Sequence, residues 1–168
     1  MKSIFKLTAA SFLLLAPINI SAQTNVAHIN VQQLISEMPE VIAAQNELAK
    51  LEKDYTTQID NAFKEFQTKA QSYSSDAANQ TDVTNQARQK ELESMQTNLQ
   101  EFRDSAAQEL QKKQMDLMTP LLEKARNAIN KVGKDQGFNY VIDSSPNGGI
   151  ILADGKDLLV DVKKELGF

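Results

Sequence analysis

The sequence predicts an α+β protein, mostly helical, in which a small β body carries a long antiparallel helical hairpin. Three observations carry this reading. Residues 40–132 contain no glycine and one proline, Pro120. In the middle of that stretch, Ser74 to Asp82 offers only small and polar residues, which compete with helical hydrogen bonds. Outside it, β-branched and aromatic residues cluster in Val26-Ala27-His28-Ile29, Tyr140-Val141-Ile142 and Ile150-Ile151. The chain therefore divides into a body from residues 23–39 and 133–168 and an arm from residues 40–132, with its tip near 74–82. Short strands are expected near 26–30, 139–143 and 149–153, and both ends of the arm must return to one place for them to pair.

Within the arm, apolar residues recur at intervals of three and four. Leu48, Leu51, Tyr55, Ile59, Ala62, Phe66, Ala70 and Tyr73 form one stripe. Met95, Leu99, Phe102, Ala106, Leu110, Leu117, Leu121, Ala128 and Val132 form the other. Several members repeat after eleven residues, about 3.67 per turn, which is close to the natural helix and predicts long, nearly straight rods. At 1.5 Å per residue the two arms reach about 50 and 75 Å. Thr81 or Asp82 is placed to cap the second helix at Val83. A second seam, Met115, Met118, Leu122, Ala125 and Ile129, lies about 100° round the helix and demands another neighbour. Pro120 falls in that seam and predicts a kink there, or a fresh helix start capped by Thr119.

The first residues read as an address. Lys2 and Lys6 precede an apolar run ending in Leu13-Leu14-Leu15-Ala16, Pro17 breaks it, and Ile20-Ser21-Ala22 supplies small residues. This is the pattern of a Sec-type signal peptide, residues 1–22, cleaved after Ala22, and it predicts a periplasmic protein. Its apolar run is far short of the ~20 residues that a membrane-spanning helix needs. Without Lys2 and Lys6, 16 Lys and Arg would face 22 Asp and Glu, with both signs interspersed. No cluster of cations is present to displace counterions from nucleic acid, so neither nucleic acid nor strong membrane binding is expected.

The residue inventory also bounds the chemistry. There is no cysteine and a single histidine, His28. That removes thiolate catalysis and Cys- or multi-His zinc sites within one chain. His28 is expected on the polar face of a strand. Gly149 to Gly155-Lys156 is the nearest approach to a phosphate loop, but its spacing is one residue too long and Asp157 stands where Ser or Thr is required. It reads as a turn. No enzyme, metal or cofactor is expected. The body is too small for a self-sufficient core, and exposed strand edges invite a second copy, so an oligomer is expected.

Val26-Ala27-His28-Ile29-Asn30-Val31-Gln32-Gln33-Leu34 resembles the opening of mature Skp (OmpH-like) chaperones. Pro120-Leu121-Leu122-Glu123-Lys124-Ala125-Arg126-Asn127-Ala128-Ile129-Asn130-Lys131-Val132 looks like their arm base. Gly137-Phe138-Asn139-Tyr140-Val141-Ile142-Asp143 is similar to their first returning strand, and Gly155-Lys156-Asp157-Leu158-Leu159 through Leu166 to their terminal helix. The resemblance implies a jellyfish-shaped homotrimer whose arms enclose a cavity and hold unfolded outer-membrane proteins in the periplasm without nucleotide. In one respect the chain departs from the family. Well-studied relatives are strongly basic and this chain is acidic, so lipopolysaccharide or acidic-lipid binding is not carried over.

On this reading, candidate client contacts are apolar residues off the main stripe: Phe63, Leu92, Met115 and Met118. Val26, Ile29, Leu34, Ile129, Val141, Ile142 and Ile151 are expected to build the oligomerisation body. A coiled-coil spacer or adaptor of the cell envelope is the alternative that the same arms would serve; it predicts a fixed folded partner. A helical hydrolase would need a convergent polar pocket, which this inventory makes hard to build.

Overall fold

The computed structural model describes residues 24–146 and 149–168; the expected signal segment lies outside the described residues. In chain order the elements are strand β1 (Val26–Ile29), helix α1 (Val31–Glu37), helix α2 (Pro39–Asp76), a 3-10 turn (Ala77–Asn79), helix α3 (Asp82–Asp135), strand β2 (Tyr140–Asp143), strand β3 (Lys156–Asp157) and helix α4 (Leu159–Leu166). The protein is mostly helical with a small strand body. Among the described residues, no helix is long and apolar enough to cross a membrane.

The strands form one parallel sheet in the order β2-β1-β3. Val26 pairs with Tyr140 and Ile29 with Asp143, while Ala27 and His28 pair with Lys156 and Asp157. Alternation puts Ala27 and Ile29 on the covered face, where both are buried. Leu34 and Met38 from the α1 region, Val41 from α2, Ala125, Ala128 and Val132 from α3, and Leu158 and Val162 beside and within α4 complete that core. Asn30 caps α1 by accepting from Gln33 N–H at 2.9 Å, and Pro39 opens α2, where its missing N–H costs nothing. Asp143 ties the end of β2 to α1, accepting from Val31 N–H at 3.3 Å and from Ser145 N–H at 2.9 Å.

The third strand is not where the β-branched residues suggest. Ile150 to Ala153 lacks strand structure, and the pairing falls at Lys156–Asp157. Gly155 explains the shift, since a Cβ there would lie 2.8 Å from the Val26 carbonyl oxygen. Only glycine lets the chain approach β1 so closely. Gly133 also marks a close approach, but it does not end the helix, although its composition suggests a stop there. Helix α3 runs on to Asp135, and a Cβ on Gly133 would meet Val141 Cγ2 at 2.8 Å. Pro120 does not restart the helix at Thr119 either; α3 is assigned as one helix of 54 residues. Pro120 leaves the Asp116 carbonyl without its donor, and Asp116 is exposed, so water satisfies it.

Helices α2 and α3 run back along each other. Their cross-pairs, from the base outward, are Glu40–Lys124, Glu47–Lys113, Tyr55–Glu109, Lys69–Glu91 and Asp76–Arg88. The two numbers of each pair add to either 160 or 164 along the whole length, so the register holds to within about one helical turn. The less exposed positions of α2 are Leu48, Leu51, Tyr55, Ile59, Ala62, Phe66, Ala70 and Tyr73, together with Lys69, Asp76 and the buried Val41 and Ala44 nearer the body. Most are only half-buried, because two helices alone cannot enclose a stripe. Leu99 and Ala106 of α3 are the arm's best-buried positions facing it. Tyr55 meets Phe102 edge-on at 6.1 Å.

At the tip the seam turns polar. Thr81 caps α3 through Thr84 N–H (3.3 Å), and Asn85 donates to the Ala77 carbonyl (2.9 Å). Arg88 pairs with Asp76 at 3.1 Å and lies 4.6 Å over the Tyr73 ring. Tyr73 O–H and Lys69 Nζ each donate to Glu91 at 2.6 Å. Donation from Arg88, then from Asn79 and Gln80, holds the Asp76 carboxyl below its ordinary range; Lys69 and Tyr73 do the same for Glu91.

Two predictions follow from this packing. Gly155→Ala should destabilise by about 1–3 kcal/mol in urea denaturation, because its Cβ meets backbone. Gly133→Ala should cost less, about 1 kcal/mol, since its Cβ displaces a side chain rather than backbone and a helix interior gains from alanine. For the tip, lowered carboxyl pKa values mean support that is complete above the ordinary carboxylate range and withdrawn as pH falls through the lowered values. Amide protection of residues 73–88 by hydrogen exchange should hold from pH 7 to 5 and fall below about pH 4. An Asp76→Asn, Glu91→Gln variant should lack much of that step.

Candidate functional site: exposed apolar surfaces

Two regions leave apolar side chains without cover. The first is the outer face of the sheet. Helices pack on the side of Ala27, Ile29 and Val141, so residues of opposite parity point away. Val26 (37%), Ile142 (38%) and Tyr140 (64%) are exposed there, with His28 half-buried between them. The segment Ile150–Leu152, which precedes β3, is also uncovered. Ile151 is fully exposed and Leu152 is 82% exposed, and among the described residues no backbone hydrogen bond holds this segment.

The second region runs from the arm base outward. Val31 and Ile35 of α1 face Leu122, Ala125 and Ile129 of α3 across an open groove of about 530 Å³, with Glu123 and Arg126 at its rim. Leu122 is 44% exposed within that groove, and Met115, outside it, is 55% exposed. The second seam thus divides: Ala125 is buried, Met118 and Ile129 pack against the core, and Met115 and Leu122 stay free. Further out, Phe63 is 39% exposed and stacks on Phe66, with centroids 6.5 Å apart. Leu92, by contrast, is half-buried near the tip.

The residues singled out from the sequence therefore fall into distinct groups. Ile29 and Leu34 belong to the chain's own core, and Ile129 and Val141 pack on it. Val26, Ile142 and Ile151 point outward from the body. Phe63 and Met115 are open on the arm, while Leu92 and Met118 are less so. Tyr140, Leu152 and Val160 are exposed apolar residues that the sequence reading did not select. For Tyr140 and Leu152 the signal was present, since each neighbours a residue that was selected. Among the described residues, no three His, Asp or Glu side chains gather to hold a metal ion.

A small parallel sheet clamped by the ends of two long, mutually paired helices defines the class to which the chain belongs. The OmpH-like outer membrane protein model matches residues 25–166, and the chain is a member of that family. It is similar to a protein of Yersinia enterocolitica named Chaperone protein Skp, at 27% identity over 95% of this chain and 97% of that one.

These placements separate folding from surface roles. Leu99→Ala should cost about 2–4 kcal/mol in thermal denaturation, since it opens the arm seam. Met115→Ser should change stability by about 0.5 kcal/mol or less, and Phe63→Ser by about 1 kcal/mol or less, its stacking on Phe66 being the loss.

Proposed function

We propose that this protein is an ATP-independent periplasmic holdase that shelters unfolded outer-membrane proteins in a cavity between the arms of a homotrimer. The observation that carries the proposal is the family match over nearly the whole chain. The similarity to a protein named as a chaperone points the same way, as does the sequence pattern of an export signal.

The physics of the arm supports this role. An unfolded membrane protein exposes apolar segments and unpaired strand edges, and the hazard is that these meet one another. Sequestering one chain needs only weak contacts repeated over a large surface, because the effective concentration inside an enclosure is high. Helices α2 and α3 satisfy their backbones internally and spend their stripes on each other. Phe63, Met115 and Leu122 remain available for passing contacts. Three arms around a shared body would place three such sets about one space. The open sheet face and the Ile150–Leu152 segment are the surfaces we assign to subunit contact. No step in this scheme uses nucleotide.

An unfolded β-barrel protein diluted from urea should scatter less light when this protein is present, equally with and without ATP. Phe63→Ser combined with Met115→Ser should weaken that protection several-fold while the arms stay folded. An oligomer that leaves aggregation untouched would support the envelope-spacer reading instead.

A further inference from the structure

Oxidant chemistry in this chain falls on its thioethers. It contains no cysteine and no tryptophan, and of its five methionines Met1 falls in the expected signal segment. The other four are graded by their cover. Met38 is fully buried in the body core, and Met118 is half-buried and packs against that core. Met95 is half-buried in the arm stripe. Met115 alone among them is open, and it takes no part in the core. Oxidation of a thioether follows access to its sulfur. On α3, steps of three and four join Met115 through Met118 to Leu122, which lies in the open groove of the arm base. Lys112 stands three residues before Met115 on the same face, with its side chain 78% exposed and Asp116 a loose partner at 4.0 Å. It is an ammonium donor for an oxygen placed there.

We infer that Met115 is a reversible oxidation site through which peroxide weakens the holding of clients while the fold stays intact. This rests on the reading of Met115 as a client contact. In the reaction the Met115 sulfur attacks one peroxide oxygen. The O–O bond breaks, an S–O bond forms, and sulfur gives up two electrons. The departing hydroxide takes the proton of the transferred oxygen and leaves as water. A flexible, polarizable apolar group thereby becomes a polar sulfoxide, which water and Lys112 solvate. An apolar client segment loses its contact there, whereas the seam and the core lose nothing. Reversal needs an outside reductant, because the chain holds no thiol. A thiol-dependent methionine sulfoxide reductase supplies two electrons; the oxygen leaves as water and the thiols become a disulfide.

The intact mature chain is treated with hydrogen peroxide for increasing times and followed by fragment-ion mass spectrometry, which resolves Met115 from Met118. Met115 should oxidise at least about threefold faster than Met95 or Met118, and at least about tenfold faster than Met38. Once Met115 is mostly converted, thermal unfolding by circular dichroism should be unchanged. The amount of protein that halves aggregation of an unfolded β-barrel protein should then rise at least about twofold. Methionine sulfoxide reductase with dithiothreitol should restore the original amount. Met115→Leu should protect as the unoxidised chain does and lose nothing to peroxide, whereas Met118→Leu should still lose protection. Oxidation spread evenly over the four methionines overturns the inference alone, as does full conversion of Met115 with protection unchanged. So does a loss that comes with unfolding or persists in Met115→Leu. An unoxidised chain that gives no protection overturns the client reading and the inference together.

Discussion

The pairing of Val26–Ile29 with Tyr140–Asp143 is the constraint on which the rest of the molecule depends. The two strands are parallel neighbours, and a parallel pair cannot be closed by a tight turn. The chain must leave at one end of the sheet and come back to the other. Here the crossover includes the whole arm. Once the strand ends are fixed, the outward and inward helices must match in length, and the excess of α3 over α2 is what packs on the sheet. Ala128 and Val132, buried in the core, mark that excess. A residue inserted into one arm helix turns everything beyond it by about 100°, so its stripe leaves the seam unless the other helix compensates. Eleven residues, three near-whole turns, is the interval that leaves the seam intact.

The same arrangement divides stability unevenly. Residues with no exposed surface, among them Leu34, Met38, Val41, Leu158 and Val162, gather around the sheet. Along the arm, burial is partial almost everywhere. Its cohesion comes from many half-covered apolar contacts, with charged pairs on their flanks that contribute little individually. The polar cluster at the tip has a different task. The Arg88–Asp76 and Tyr73–Glu91 hydrogen bonds form in only one register, whereas an apolar stripe tolerates a slip of one turn. The stripe supplies attraction and the cluster fixes alignment.

Much of this was legible in the sequence because the arm is governed by local periodicity. Each stripe residue declares itself through neighbours three and four positions away, and the hydrophilic break around Asp76–Thr81 declares the reversal. The body is governed by non-local pairing and is harder to read. Ile150-Ile151-Leu152 has the composition of a strand but no partner strand among the described residues, and strand propensity registers fitness for a pleated surface rather than pairing itself. Lys156-Asp157 has poor strand composition and pairs because Gly155 lets the backbone approach. Gly133 looks like a helix terminator, yet it serves close packing inside a helix whose ends are set by the sheet. The surface was legible by subtraction. Phe63 and Met115 lie off the stripe and are open, but Met118 lies off it too and finds cover from the body, which periodicity along one helix cannot foresee.

For a protein proposed to hold unfolded clients, this division resolves a conflict. A surface that attracts apolar segments also attracts itself, and an arm whose own folding required those side chains would lose client contacts as it became stable. Here the two demands fall on different faces. The seam between α2 and α3 uses the regular stripe, its backbone is satisfied within each helix, and four ion pairs cross it. Phe63, Met115 and Leu122 lie outside that account, spaced apart and set among charged residues that keep neighbouring arms from collapsing together. In the proposed trimer the acidic excess would contribute by repulsion between like arms, which requires no particular partner. An arm of this kind stays folded when empty, and its contacts with a client are weak enough individually to be released one at a time.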